Sequence, residues 1–381
     1  MTGRERLTAV LRGQAPDRVP FAPLIARYYI KSLPEMGIPL ETLGDITPYR
    51  DQTYIMQDTN FYELEAQRFV GGDILYRHVY PYKLVYDASI KPFSRQESGL
   101  TVNGFDTPQG TIYEEVACSG GTDFITRHMI NTPDELRIFD YVIRHTRATP
   151  LYDYFHQLDA LAGDDGIVSL TGPLTPIQEM LQFKMGVMNT VMLLQDERTL
   201  MEEVFEHMQQ LHRSIYQLYR ECDALATFTY EDTSTTVMSP DWYTRYCVGP
   251  LDEYAEILHS NDKIHIVHMC GKISLLTDAI RQGRMDGIDS VCPPSTGDLE
   301  PGDALKQIGK VIIGGLNPVE LVHNDVAGVL NYTKKQLRQV GDGRGFILST
   351  GDSTAAFTPM ENLKAIAQYM KEHGQFPLQM D

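Results

Sequence analysis

Six short apolar runs, each followed by a stretch with helical periodicity, constrain the fold of this chain more than any other feature. Alternating strand and helix units place successive strands parallel in one sheet, and six units in series favour a closed barrel over an open doubly wound sheet. No glycine-rich dinucleotide fingerprint opens any of the units, which further disfavours the open sheet. We therefore predict an α/β fold, a (β/α)8 TIM barrel. The predicted strands cover residues 167–170, 224–229, 264–267, 287–291, 311–313 and 346–348.

Two regions before these units elaborate the predicted barrel. Residues 1–70 show short helical patterns broken by Pro and Gly, and we expect them to form a helical cover over one end of the barrel. Residues 73–126 contain strand patterns, the first at 74–76, and predict a β-hairpin elaboration within the barrel. A chain of 381 residues suits one elaborated barrel, so we expect a single domain over residues 1–381.

Local signals within the two regions give more detailed predictions. Asn103-Gly104 and Gln109-Gly110 are dipeptides typical of hairpin turns. Apolar periodicity predicts helices at residues 4–11, 28–36 and 46–57.

Charge and cysteine content limit the partners and the compartment. Lys and Arg number 33 against 51 Asp and Glu, giving a formal net charge of −18, which would repel nucleic acid and anionic membranes. The chain lacks a run of 18 apolar residues and an apolar leader, and its five cysteines are scattered and odd in number, which fits reduced thiols. We expect a soluble cytoplasmic protein that binds neither nucleic acid nor membranes.

His268 and Cys270 form a candidate metal-ligand pair at the end of one predicted strand. Side chains two apart on a strand point to the same face, so both can reach one ion, and imidazole with thiolate suits zinc. Cys292 follows the next predicted strand and would face the same end of a barrel. The alternative for an isolated His-x-Cys pair is a core histidine beside a buried thiol.

Two other predicted strand ends carry carboxylates. Glu231 and Asp232 follow one strand and could accept a substrate hydrogen bond or relay a proton, or equally cap the following helix. Asp352 follows the last predicted strand and would face the same pocket. Tyr28, Tyr230 and other aromatic residues such as Phe357 could line a substrate pocket, although packing is the more frequent role of aromatic side chains.

Several motifs, taken in order, resemble the uroporphyrinogen decarboxylase superfamily, and within it the cobamide-dependent (corrinoid) methyltransferase branch. The resemblance spans nearly the whole chain. It rests on Arg4-Glu5-Arg6-Leu7, Pro16-Asp17-Arg18-Val19-Pro20, Gly172-Pro173-Leu174-Thr175, the acidic pair before Ser239-Pro240, and Gly351-Asp352 followed by Thr358-Pro359.

The decarboxylases of this superfamily act on a porphyrinogen with many carboxylates and carry an arginine-rich element near the N-terminus. The comparable segment here, residues 23–29, contains the single arginine Arg27. One guanidinium can clamp one carboxylate and cannot balance a cluster of them. Porphyrinogen decarboxylation is therefore disfavoured, and Arg27 becomes a candidate substrate-binding residue.

The resemblance to the methyltransferase branch implies a zinc ion bound by a His-x-Cys pair and a later Cys. His268 and Cys270 match the pair, whereas the later Cys is replaced by Asp352. The related zinc barrel of cobalamin-independent methionine synthase has a Glu where this chain has Cys292. Two alternatives remain: a tetrad of His268, Cys270, Cys292 and Asp352, or a three-ligand site with Asp352 free for acid–base chemistry.

The resemblance also implies an activity and its partners. It implies transfer of a methyl group between a small methylated compound and a corrinoid (cobalamin) supplied by a partner protein, in a chain that can form a homodimer. The carboxylate Asp352 makes an oxygen or nitrogen methyl donor, such as a methoxylated aromatic (O-demethylation) or a methylamine, the favoured substrate. The alternatives are a metal-free decarboxylase and a non-catalytic ligand-binding barrel.

Overall fold

The computed structural model describes residues 1–119, 122–231 and 233–379. In chain order its strands are β1 (Ile74–Val79), β2 (Tyr82–Tyr86), β3 (Lys91–Glu97), β4 (Leu100–Thr107), β5 (Gly110–Ser119), β6 (Thr122–Arg127), β7 (Thr146–Pro150), β8 (Gly166–Gly172), β9 (Ala226–Glu231), β10 (Ile264–Met269), β11 (Gly287–Val291), β12 (Val311–Leu316) and β13 (Phe346–Thr350). Its α-helices are α1 (Gly3–Leu11), α2 (Arg27–Ser32), α3 (Asn60–Val70), α4 (Pro133–Arg144), α5 (Tyr152–Ala162), α6 (Pro176–Glu179), α7 (Gly186–Asp196), α8 (Arg198–Glu221), α9 (Pro240–Trp242), α10 (Val248–His259), α11 (Thr277–Gln282), α12 (Pro301–Ile308), α13 (Pro318–His323), α14 (Val326–Leu337) and α15 (Met360–His373).

A curved parallel sheet of seven strands, in the order β1-β8-β9-β10-β11-β12-β13, forms most of a barrel. The extended segment around Phe21 lies between its two edges. Ala22 N donates to Leu348 O at 2.9 Å on the β13 side, and Asp73 N donates to Phe21 O at 2.7 Å on the β1 side. This segment takes the place of an eighth strand, so the predicted TIM-barrel-like fold is confirmed.

Helix α1 closes the amino-terminal end of the barrel. Leu7, Val10 and Leu11 pack in one buried cluster with inward side chains of the strands, among them Phe228 and Ile266. The helix starts with a capping box between Thr2 and Glu5, which satisfies amide groups that the first turn leaves unpaired. The opposite, carboxyl-terminal end of the strands is therefore the end at which an open site can form.

The region between β1 and β8 is more complex than the predicted hairpins. β1 is a barrel strand paired in parallel with β8, so the prediction that residues 74–76 belong to the hairpin elaboration is wrong. β3 to β6 form a four-stranded antiparallel sheet, and β2 pairs with β7, well beyond residue 126. Because a long insertion follows β1, its parallel partner β8 lies far along the chain, and local sequence patterns do not reveal the pairing.

Two further local predictions are wrong. Asn103-Gly104 lies inside β4 and not in a turn, because Gly104 lets β5 approach closely: a Cβ there would lie 2.3 Å from Ile112 O. Residues 46–57 form a short 3-10 turn at Thr47–Tyr49 in place of a helix. Within the described ranges, every helix is too short or too polar to cross a membrane.

Candidate metal centre

Three neighbouring strands place His268 between an aromatic ring and a carboxylate. His268 is in register with Tyr230 on β9 and with Asp289 on β11. Residues in register on adjacent parallel strands point to the same face. Ile264 and Ile266, which lie on the same face of β10 as His268, belong to the cluster inside the barrel. The three side chains therefore project into the barrel near its open end.

The contacts of the imidazole fix its orientation. His268 Nδ1 donates to Asp289 Oδ2 at 2.7 Å, and the ring stacks on Tyr230 with centroids 4.5 Å apart. Nε2 is thereby directed away from Asp289, and it lies 3.9 Å from Asp352 Oδ1. A histidine held by a carboxylate at one nitrogen, with the other nitrogen directed toward further candidate ligands, is the usual arrangement of a metal-ligating histidine.

Burial and neighbouring charges shift the pKa values of His268 and Asp289 in opposite directions. Burial favours neutral imidazole, but the hydrogen bonds to Asp289 and Cys270 outweigh it and raise the pKa of His268 to about 10. Burial also opposes ionisation of Asp289, but the Arg77 guanidinium and His268 together hold the pKa of that carboxyl below its usual value. His268 and Asp289 thus each stabilise the charged form of the other.

The two predicted cysteine ligands differ in exposure. Cys270 is partly exposed and contacts the His268 ring, in line with the same-face prediction. Cys292 is buried at 2% exposure, and burial raises the pKa of its thiol to about 12. It packs against Gly351, where an added Cβ would lie 2.8 Å from Cys292 Sγ. Cys292 therefore lies beneath the loop that carries Asp352.

The donor set suits zinc in chemistry, and its members approach one another in pairs. In residues 1–119, 122–231 and 233–379, no three His, Cys, Asp or Glu side chains come together closely enough to hold a metal ion. The 3.9 Å between His268 Nε2 and Asp352 Oδ1 is too long for a hydrogen bond. This distance is close to the separation of about 3.3 Å between two ligand atoms of a tetrahedral zinc ion.

Glu231 has the contacts of a structural group. On β9 it alternates with the inward Tyr230 and so points away from the barrel interior. One carboxylate oxygen accepts from Thr175 N at 2.6 Å and the other from Thr175 Oγ1 at 2.8 Å, at the start of α6. This geometry gives Glu231 a structural role, although the helix that it contacts, α6, precedes β9 and is not the following helix that the sequence suggested. Asp232 lies outside the described residues.

Two adjoining clefts open beside the centre, at the ends of β1, β8 and β9. One, of about 490 Å³, is lined by Tyr230 together with Tyr80, Tyr82, Leu84 and Phe183. The other, of about 600 Å³, shares Tyr80 and Tyr82 and adds more polar side chains. An aromatic cleft thus adjoins the site next to His268.

The predicted substrate-binding residues fall in different places around the clefts. Arg27 and Tyr28 line the larger cleft and stack on each other, with the guanidinium carbon 5.3 Å from the ring centroid. Tyr230 lines the smaller cleft. Phe357 is half exposed on the loop after β13, its amide donates to Ser32 Oγ, and it is not among the described residues lining these two clefts.

Sequence reasoning missed Asp289 and Arg77. Each is a charged residue at a buried position of a barrel strand, which is itself a signal, since such residues are rarely buried unless paired. Arg77 Nη2 lies 3.4 Å from Asp289 Oδ1. Their partnership depends on which strands are neighbours, which local patterns do not reveal.

Fold and site together define a class: an α/β barrel with a His, Cys and carboxylate centre at the carboxyl ends of its strands. A family model described as uroporphyrinogen decarboxylase (URO-D) matches residues 128–373, and the chain belongs to this family. The family predicted from the sequence motifs is confirmed.

One similar sequence and one similar structure are those of methyltransferases. The methylcobamide:CoM methyltransferase MtaA of Methanosarcina barkeri is 22% identical over 143 residues, which are 37% of this chain and 39% of that protein. The chain thus matches about two fifths of that relative's length. A solved structure, a methyltransferase from Methanosarcina mazei, has a TM-score of 0.63 at 17% identity and covers 98% of this chain and 99% of that one. The structural likeness shows the shared fold.

Proposed function

We propose that this protein is a zinc-dependent methyltransferase that moves a methyl group between a small methylated compound and a corrinoid carried by a separate protein. The observation that carries the proposal is His268, whose Nδ1 is held by a buried carboxylate while Nε2 lies beside Asp352 and Cys270 is in contact. Membership of the URO-D family and the similarity to the two methyltransferases support it.

The proposed ligands are His268, Cys270, Cys292 and Asp352. His268 and Asp352 already approach at 3.9 Å, and Cys292 lies under Gly351, next to Asp352 in the chain. Zinc bound there would act as a Lewis acid on the heteroatom that carries or receives the methyl group. Asp352, with a side chain 38% exposed, has space to turn toward the other three.

The protein's own side chains would bind the substrate beside this centre. Tyr230 contacts the His268 ring on one side and lines the aromatic cleft on the other, so a substrate in the cleft adjoins the centre. Burial raises the pKa of Tyr230 well above its usual value, so this residue stays a neutral phenol. An apolar, aromatic cleft favours a methoxylated aromatic compound or a methylamine over a porphyrinogen with many carboxylates.

Methyl transfer to added cob(I)alamin tests the proposal. The purified protein, loaded with zinc and given candidate methoxylated aromatics or methylamines, is expected to consume cob(I)alamin, as its absorbance change reports. Cys118→Ser changes an exposed cysteine on a strand outside the centre, so it should leave the rate of methyl transfer unchanged. Zinc-independent release of carbon dioxide from uroporphyrinogen, without methyl transfer, would contradict the proposal and support the decarboxylase alternative.

A further inference from the structure

Arg77 lies at the centre of the barrel, directly beneath the candidate metal centre. It is fully buried, on β1, and its guanidinium carbon lies 5.5 Å from the ring centroid of Phe228. Phe228 belongs to the apolar cluster that α1 closes from below. Arg77 thus separates the apolar lower part of the barrel from the polar upper part.

The contacts of Arg77 are too few to make the burial of its charge a source of stability. Nη2 lies 3.4 Å from Asp289 Oδ1, and across the described ranges Nε, Nη1 and Nη2 are buried with no hydrogen-bond partner. Removing a guanidinium from water is costly in free energy, and apolar side chains of similar volume are often as stable or more so. A group retained under these conditions is expected to serve the site.

Asp289 divides its two oxygens between Arg77 and His268. Oδ1 faces Arg77 Nη2, and Oδ2 accepts from His268 Nδ1 at 2.7 Å. A carboxylate turns about a broad torsion when one end is released, so a contact at Oδ1 restrains the position of Oδ2.

We propose that Arg77 is a positioning residue, which holds the Asp289 carboxylate so that Asp289 keeps His268 Nε2 facing the open end of the barrel. Among the described residues Arg77 does not line either cleft, and its ion pair is with Asp289, through which it acts on His268. In its reference to zinc this inference rests on the proposed function.

Zinc affinity of Arg77→Met, measured by competition with a chromophoric chelator, is the first test. Loss of an outer partner of a ligating histidine typically weakens metal binding 10 to 100-fold, and a loss in this range is expected. Arg77→Lys, which keeps a cation facing Asp289, is expected to restore part of the affinity. An unchanged affinity in Arg77→Met would overturn the inference.

Arg6→Met is the matched control. Arg6 is 3% exposed and pairs with Asp73 at 2.5 Å, at the amino-terminal end of the barrel. This variant removes a buried Arg–Asp pair far from the centre, so it should lower stability and leave zinc affinity unchanged. Equal losses of affinity in both variants would show a merely structural role for Arg77 and overturn the inference.

The imidazole proton supplies a readout that does not need zinc. In metal-free protein the hydrogen-bonded Nδ1 proton of His268 should give a downfield proton NMR signal, assigned by its loss in His268→Gln. The signal is expected to broaden or vanish in Arg77→Met and to persist in Arg6→Met, and a sharp, unmoved signal in Arg77→Met contradicts the inference. If the wild type binds no zinc, the proposed function fails while this signal still decides the role of Arg77. If Arg77→Met does not fold, the zinc affinity and the Nδ1 proton signal are measured in Arg77→Gln, with the same expected results.

Discussion

Cys292 and Cys222 are equally buried thiols, each 2% exposed, in different surroundings. Cys222 follows α8 in the outer layer, and burial raises its pKa. Cys292 lies at a strand end, against the loop of Asp352. The comparison of the two separates the effect of losing a buried thiol from the effect of losing a metal ligand.

Cys292→Ser is therefore expected to weaken zinc binding at least tenfold, because a serine hydroxyl is a poor replacement for a thiolate ligand. Cys222→Ser should cost a similar amount of stability and leave zinc binding intact. Chelator competition measures the affinity, and urea unfolding measures the stability. Full zinc affinity in Cys292→Ser would remove this residue from the proposed ligand set.

Strand β10 shows how alternation gives two histidines opposite environments. His268 points into the barrel and is held by a carboxylate, whereas His265 points outward among Tyr216 and Tyr254. His265 Nε2 shares a hydrogen bond with Thr229 Oγ1, and within the described part of the chain Nδ1 has no partner. Burial, with a smaller effect from His259, lowers the pKa of His265 to about 3.

This depressed pKa predicts a loss of stability on acidification. Below pH of about 6.5 the unfolded state takes up a proton that the folded state refuses until pH is near 3, so stability falls by roughly 1.4 kcal/mol per pH unit across that window. His265→Phe lacks this contribution. As pH falls, the free energy of unfolding of this variant should therefore rise relative to that of the wild type. Urea unfolding of both proteins between pH 7 and 4 measures the difference, and a difference independent of pH would contradict the assignment.

The elements also show what a sequence can reveal of this fold. The six strands from β8 to β13 were predictable because each is a short apolar run followed directly by a helix. β1 was missed as a barrel strand because its parallel partner follows an insertion of more than eighty residues. The segment around Phe21 was missed because it closes the barrel with few regular hydrogen bonds.

The candidate site was predictable to a similar extent. Spacing alone placed His268 and Cys270 on one face, and strand ends placed Asp352 beside them. Asp289 required knowledge of the register between β10 and β11, which no local pattern holds. The orientation of Glu231 away from the interior followed from strand alternation, once the start of β9 was known.

The barrel places the residues that stabilise it and the residues of the candidate site at opposite ends. Its amino-terminal half is an apolar cluster closed by α1, and its carboxyl-terminal half holds Arg77, Asp289 and His268 beside two clefts. Any macromolecule that exchanges a methyl group with this centre must approach the carboxyl-terminal end.

Elemental analysis of the purified protein shows directly whether this chain binds zinc. We expect one zinc ion per chain in the wild type, and loss of that zinc in a His268→Gln, Cys270→Ser double variant that unfolds at the same urea concentration. Wild-type protein that stays free of zinc after incubation with the ion, or a double variant that retains full zinc, would contradict this expectation.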